Sequence, residues 1–219
     1  MALILALLLF FSTLFAQSVH PVTGRQIAPV MSAAGADWLD RPERESEEQP
    51  DKALQALGIR RGMVVADIGA GSGYMSFKMA RLVGPPGKVY ANDLQPEMLE
   101  ILRARAQRDK ITNVETVLGT ETDPKLPAGV LDLVLLVDVY HEFSQPQAML
   151  RKIREALKAD GRLVLLEYRK EDPKVPIRPE HKMSVPEVKA EVEPEGFQLD
   201  QVIEVLPRQH IIIFRPRKG

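Results

Sequence analysis

The chain has 219 residues, enough for one domain with a small appendage. Hydrophobic residues make up 45% and charged residues 27%, which excludes a disordered chain, a collagen-like repeat and a polytopic membrane protein. Lys plus Arg total 29 against 30 for Asp plus Glu, so no basic excess marks a nucleic-acid partner. Cysteine is absent, which excludes disulfides, Cys-ligated zinc, Fe–S clusters and thiol nucleophiles.

Residues Ala2–Phe15 are almost wholly apolar, and the first charged side chain is Arg25. Residues 1–18 read either as a signal peptide ending in the small-x-small run Ala16-Gln17-Ser18, or as a membrane anchor acting through residues 2–16. The anchor reading puts the rest of the chain on the cytoplasmic side, because the first basic residues follow the run; the signal-peptide reading exports it. Residues 19–50 read as an irregular lead-in with short helices. Trp38, the only tryptophan, reads as a packing anchor for that lead-in, with the wall of a substrate pocket as the other reading.

From Asp51 the chain alternates helix and strand. A helix over 51–57 is closed by Gly58, and Met63–Ile68 reads as a buried strand. A helix follows over 74–83, then a strand over 88–92, then a helix opened by Pro96 with Met98, Leu99 and Leu102 on its apolar face. Strands are expected over 113–118 and over 131–137, the second continuously apolar as a central parallel strand should be. Ser144 and Gln147 match a capping box for a helix that Gly161 ends, and a fifth strand is expected over 162–167. A proline-rich connection precedes a second capping box, Ser184 with Glu187, whose helix Pro194 should stop. The runs 197–206 and 210–214 are spaced for an antiparallel hairpin. The alternation as a whole argues for a doubly wound α/β sheet.

The strand ending at Ile68 runs into Asp67-Ile-Gly69-Ala-Gly71-Ser-Gly73 and then a helix. Glycines permit tight turns and close backbone approach to a ligand, and a helix N-terminus presents free N–H groups. Tyr74 stands where a dinucleotide fingerprint has its third glycine, which argues against a nicotinamide-dependent oxidoreductase. Asp93 follows Gly73 by 20 residues, at a strand end, where an acid can accept hydrogen bonds from ribose hydroxyls.

With these features the sequence resembles the class I S-adenosylmethionine-dependent methyltransferases, most of all the small-molecule branch of the ubiquinone and menaquinone C-methyltransferases. The resemblance runs over roughly residues 50–214 and includes Val89–Leu99, Leu131–Phe143, Gly161–Glu167 and the Gly196-Phe197 turn. It implies a methyltransferase domain over 51–219 with a Rossmann-like, seven-stranded, mostly parallel sheet and an antiparallel C-terminal hairpin. It also implies S-adenosylmethionine as cofactor and a small-molecule acceptor, and with the near-neutral charge and the apolar N-terminus a lipophilic or amphipathic one fits best. By the same resemblance Asp67 with Gly69, Gly71 and Gly73 would hold the methionine portion. Asp93 would bind the ribose and Leu94 would pack on the adenine. Where relatives carry an acid for the adenine amino group this chain has Gly119-Thr120, so Asp123 or Glu121 would substitute. Asp138 would face the transferred methyl. A protein that binds the cofactor without turnover would look the same at these positions.

Methyl transfer from a sulfonium is an in-line displacement, and a base is needed only when the acceptor atom carries a proton. Tyr140, His141 and Glu142 lie just past the fourth strand, and His141 with Glu142 are candidates for that base. Glu167, Tyr168, Arg169, His181 and Lys182 read as ordinary surface residues at the same rim, His210 as structural. No metal is expected. The absence of cysteine weighs against an arsenic acceptor, and the absence of an Asn/Asp-Pro-Pro-Tyr tetrapeptide weighs against base or glutamine amino groups.

Overall fold

The computed structural model describes residues 18–217. The apolar run 2–16, expected to be a signal peptide or anchor, lies outside the described residues. Among the described residues no helix is long and apolar enough to cross a membrane.

The lead-in carries two single-turn helices, α1 (Ala36–Leu39) and α2 (Arg44–Glu47). Then α3 (Pro50–Leu57), β1 (Val64–Ile68), α4 (Tyr74–Val83), β2 (Lys88–Asp93), α5 (Pro96–Arg108) and β3 (Val114–Leu118) follow in order. The second half has β4 (Leu131–Val137), α6 (Pro146–Ala156), β5 (Leu157–Arg169), β6 (Lys182–Met183), α7 (Val185–Val192), β7 (Phe197–Ile203) and β8 (Gln209–Pro216). Seven strands lie in the order β3-β2-β1-β4-β5-β8-β7, and the two-residue β6 pairs with the end of β5 as an eighth. The strands from β1 to β6 run parallel, while β8 is antiparallel to β5 and β7.

The sheet buries both faces, so its central strands are apolar on both sides. In β8, Ile211 and Ile213 belong to the core that holds Leu54, Leu57 and Val83, while Ile212 and Phe214 belong to the one that holds Ile153, Val188 and Val192. The period-2 alternation of an isoleucine-rich strand thus joins two layers of helices.

The second capping box forms as expected, with Ser184 and Glu187 bonded reciprocally. The first does not. Helix α6 begins at Pro146, Gln145 is its N-cap and no side chain caps it. Pro146 sits in the first turn, where its missing N–H is no loss, and so sets the start itself. Gly161 does not end that helix either: α6 stops at Ala156, and β5 begins at once and runs through Gly161. A Cβ at Gly161 would press on the carbonyl oxygens of Leu131 and Lys158, so this glycine permits close strand packing rather than a cap.

Strand order reverses between β1 and β4. A crevice opens beyond the carboxyl ends of strands at such a reversal, where an open α/β sheet accepts its ligand.

Candidate active site

A cavity of about 700 Å³ occupies this crevice. Its floor is the turn after β1 and the turn after β4. Gly69 (φ +73°) and Gly71 (φ +53°) line it with backbone in the left-handed region. A side chain at Gly69 would collide with Val139, so the glycine allows the two turns to meet under the ligand. Gly73 does not line the cavity. A Cβ there would run into Leu102 and Phe77, so it serves helix packing. Asp67 also stands behind the loop, where it accepts a 2.6 Å hydrogen bond from Ser76 Oγ, and its burial pushes the carboxyl up to about 6.

Asp93 ends β2 at the rim of the cavity. Its Oδ2 accepts from Gly71 N at 2.9 Å and its Oδ1 from Gln95 N at 2.9 Å, which ties the loop to the second strand. Burial raises its carboxyl above the usual range. Leu94 beside it is 45% exposed and faces the cavity with Ile68 and Met98, an apolar slot open on one side. Of the two acids named for the next turn, Glu121 lines the cavity. Asp123 turns back on its own loop, accepting from Lys125 N at 2.7 Å and Lys125 Nζ at 3.1 Å.

Asp138 has φ +51°, a strained conformation for a residue with a side chain, and faces the cavity. Gln209 Nε2 donates to its Oδ2 at 2.6 Å, and its Oδ1 is buried with no partner. Burial, then the nearby carboxylates of Glu48 and Glu167, hold the Asp138 carboxyl well above the usual range. Glu48 comes from the lead-in and accepts from Arg44 Nε at 2.6 Å, Arg41 Nη2 at 2.6 Å and Tyr168 O–H at 2.9 Å.

The opposite wall departs from the sequence reading. The lead-in is part of the cavity, contributing Met31, Trp38, Leu39, Arg44 and Glu48. It is held down by Arg25, whose guanidinium grips the buried Glu191 of α7 at 3.1 and 3.0 Å and the carbonyl oxygen of His141 at 3.0 Å. Trp38 is therefore a pocket wall, 46% exposed, with the Arg41 guanidinium 3.8 Å above its ring. Glu167 and Tyr168 are buried, not surface residues, because β5 is a central strand covered on both faces. Lys182 is buried too, donating to Val175 O at 2.5 Å, and Arg169 bonds the backbone of Leu206 and Pro207. His210 pairs with Glu204 and Glu171, away from the cavity, as a structural residue.

His141 is buried to 1% exposure. Its Nδ1 lies 2.6 Å from Glu167 Oε2, and its Nε2 lies 3.1 Å from His181 Nδ1. The other Glu167 oxygen accepts from Tyr140 N at 3.1 Å, so Glu167 fixes both the backbone and the ring. Glu142 faces the same point, and burial pushes its carboxyl up to about 7. Burial lowers His181. Tyr140 is wholly buried beside this group, and Phe143 packs edge-on against it while facing the cavity. The grouping of His141, Glu142 and His181 answers the expectation of no metal with three converging ligand-type side chains. A separation of 39 residues between Glu142 and His181 hid it from spacing rules.

Comparison with known proteins agrees with this geometry. Residues 59–204 match the pattern described as a methyltransferase domain, and the chain belongs to that family. It is 32% identical over 118 residues to the ubiquinone/menaquinone biosynthesis C-methyltransferase of Escherichia fergusonii, covering 53% of this chain and 47% of that one. It is 32% identical over 109 residues to a protein-L-isoaspartate O-methyltransferase of Methanothrix thermoacetophila, covering 50% and 49%. The chain thus spans about half the length of these curated relatives. A crystal structure of a SAM-dependent methyltransferase from Aquifex aeolicus superposes with a TM-score of 0.80 at 28% identity, covering 84% of this chain and 98% of that one. The fold is that of the class I methyltransferases, and the family implies S-adenosylmethionine binding.

Proposed function

We propose that the chain transfers a methyl group from S-adenosylmethionine to a small, largely apolar acceptor held in this cavity. The observation that carries the reading is convergence. The glycine turn, Asp93, the apolar slot at Leu94 and the unpartnered Oδ1 of Asp138 all face one space. These residues fit the cofactor: a carboxylate for the ribose, an open apolar face for the adenine, and an orphan acceptor oxygen for the cationic end.

When bound, the cofactor supplies a methyl group on a positively charged sulfur. Asp93 would hold the ribose hydroxyls, Leu94 and Met98 the adenine, and Glu121 its amino group. The unpartnered Oδ1 of Asp138 would meet the cationic end of the cofactor. Pro29, Val30, Trp38, Phe143, Pro176 and Ile177 would exclude water and seat the acceptor. A lipophilic acceptor suits that wall, and association with a membrane through residues 2–16 belongs to the same proposal. Equal activity on lipid-free, water-soluble acceptors before and after removal of residues 1–18 would count against it.

The test is calorimetric titration of S-adenosylmethionine into the full chain in mild detergent, with Asp93→Ala beside it. Charged hydrogen bonds are worth about 1.5–3 kcal/mol each, so losing the carboxylate should weaken binding roughly 100-fold. No binding by a folded chain would sink the proposal. Binding without methylation across an acceptor screen would favour the non-catalytic reading.

A further inference from the structure

The cavity wall opposite Asp93 holds a second piece of chemistry that methyl transfer by itself does not require. Two imidazoles and a carboxylate meet at one point: His141, Glu142 and His181 each offer a ligand atom within 4.8 Å of the other two. His141 arrives in a short 3-10 turn after β4, and His181 in another just before β6. Both turns are anchored by strands of the sheet, so the meeting of the rings belongs to the fold.

Glu167 sets the tautomer. Its carboxylate is fully buried and accepts from His141 Nδ1, which leaves the Nε2 lone pair facing His181. A carboxylate behind an imidazole in this way is the usual outer support of a metal-bound histidine. The 3.1 Å between the two ring nitrogens fits a shared ion. At metal–nitrogen distances of about 2.0–2.1 Å, two ligand nitrogens stand roughly 2.8–3.4 Å apart, the short end octahedral and the long end tetrahedral. Glu142 Oε1 is 4.0 Å from His181 Nδ1, close enough for a small carboxylate rotation to complete the set.

Charge points the same way. Glu142 and Glu167 are shielded from water, and among the described residues neither has a lysine or arginine within ion-pair distance. The side chains of Glu142 and Glu167 are 12% and 0% exposed. Their nearest charge partners are the two histidines. A cation held between them would give these buried oxygens a charge partner that the hydrogen bond between the rings does not. The site is also placed for use, since His141, Glu142 and His181 all line the cavity.

We propose that His141, Glu142 and His181 bind a divalent transition-metal ion, with Glu167 orienting His141, and that the ion's open positions face the acceptor. Two histidines and one carboxylate with positions left open suit zinc, iron(II), cobalt(II) or manganese(II). An ion there would take an oxygen or nitrogen donor of the acceptor and lower its pKa, so that the donor gives up its proton to water before attacking the methyl group and no free histidine base is needed. This last role rests on the proposed methyl transfer; the ion binding does not. The acceptor class it selects is a small molecule with a hydroxyl or amine next to an apolar body.

The experiment is cobalt(II) titration of metal-stripped full chain in mild detergent, followed by visible absorption and by metal analysis after desalting, with zinc as competitor. The expected result is one equivalent per chain, displaced by zinc. His181→Ala and Glu142→Gln each remove a ligand. Each should weaken cobalt binding by roughly 100-fold or more, since losing even an outer partner costs on the order of 10- to 100-fold. S-adenosylmethionine titration of the same variants checks folding and should be unchanged. Asp93→Ala should lose the cofactor and keep the cobalt, so a failure of either proposal is visible apart from the other. No stoichiometric cobalt in the parent chain, or binding untouched in both ligand variants, overturns the metal site. That outcome leaves the Glu167–His141–His181 chain as hydrogen bonding only.

Discussion

On the β1–β2 side of the cavity, Gly69, Gly71, Asp93 and Leu94 fall within one stretch of 26 residues. The facing wall is gathered from four places: the lead-in, the turn after β4, the end of β5 and the segment before β6. The first side is a local object. A strand, a turn and a helix position its groups, and each is set by neighbours in the chain. The second exists only where β4 and β5 pair and where Arg25 pulls residues 18–49 over the sheet. A single substitution should therefore act differently on the two sides, by backbone geometry on one and by loss of a long-range tie on the other.

The largest effect is expected at that tie. Arg25→Ala leaves Glu191 buried beside His20 and Thr23 without its guanidinium, and breaking a buried pair costs about 3–5 kcal/mol. Urea unfolding should show that loss, and limited proteolysis should cut the lead-in faster. An unchanged midpoint would mean that the lead-in is not held as described.

Gly69→Ala tests the local side. Left-handed backbone costs a side chain roughly 1–2 kcal/mol, and the new methyl must also displace Val139. A loss of about 2–3 kcal/mol is expected from strain and overpacking together. A neutral substitution would show that the turns do not meet as closely as the structure has them.

Asp67 gives a pH signature. Its carboxyl is raised from 3.8 to about 6 by burial, so the folded chain holds this proton where the unfolded chain has released it. The group's contribution to stability is complete below 3.8 and is lost as pH rises through about 6. Between pH 4.5 and 7.5 the stability difference between the parent and Asp67→Asn should change by about 2 kcal/mol, the parent losing ground as pH rises. A difference that stays constant would contradict a buried, raised carboxyl.

The smallest effect belongs to Trp38→Ala. The ring is 46% exposed, so stability should move by less than about 0.5 kcal/mol. The acceptor KM should rise severalfold while cofactor affinity holds. A fall in cofactor affinity instead would place Trp38 against the cofactor.

How much could be read in advance follows the same division. The glycine turn and Asp93 were legible because strand, turn and helix signals sit next to one another. The doubly wound α/β sheet followed from the alternation of elements, and the Ser184–Glu187 cap from residues three apart. The Ser144 cap was misread because Pro146, two residues on, sets the helix start. Glu167, Tyr168 and His181 looked like rim residues because charged and polar side chains are usually exposed, and nothing local announces a buried partner. Trp38 and the i,i+4 pair Arg44–Glu48 were the available hints that the lead-in does more than precede a domain.

Composition, apolar periodicity and the spacing of glycines and one acid determined the layered α/β sheet and the cofactor side of the cavity, since those signals act over a turn or a strand. Only the tertiary structure decided which residues face the acceptor. Burial of Glu167, the meeting of His141 with His181 and the seating of the lead-in depend on contacts between segments 26 to 166 residues apart. Hydrogen bonds and ion pairs at that range leave no period in a sequence; they form because burying both faces of the sheet brings their partners together.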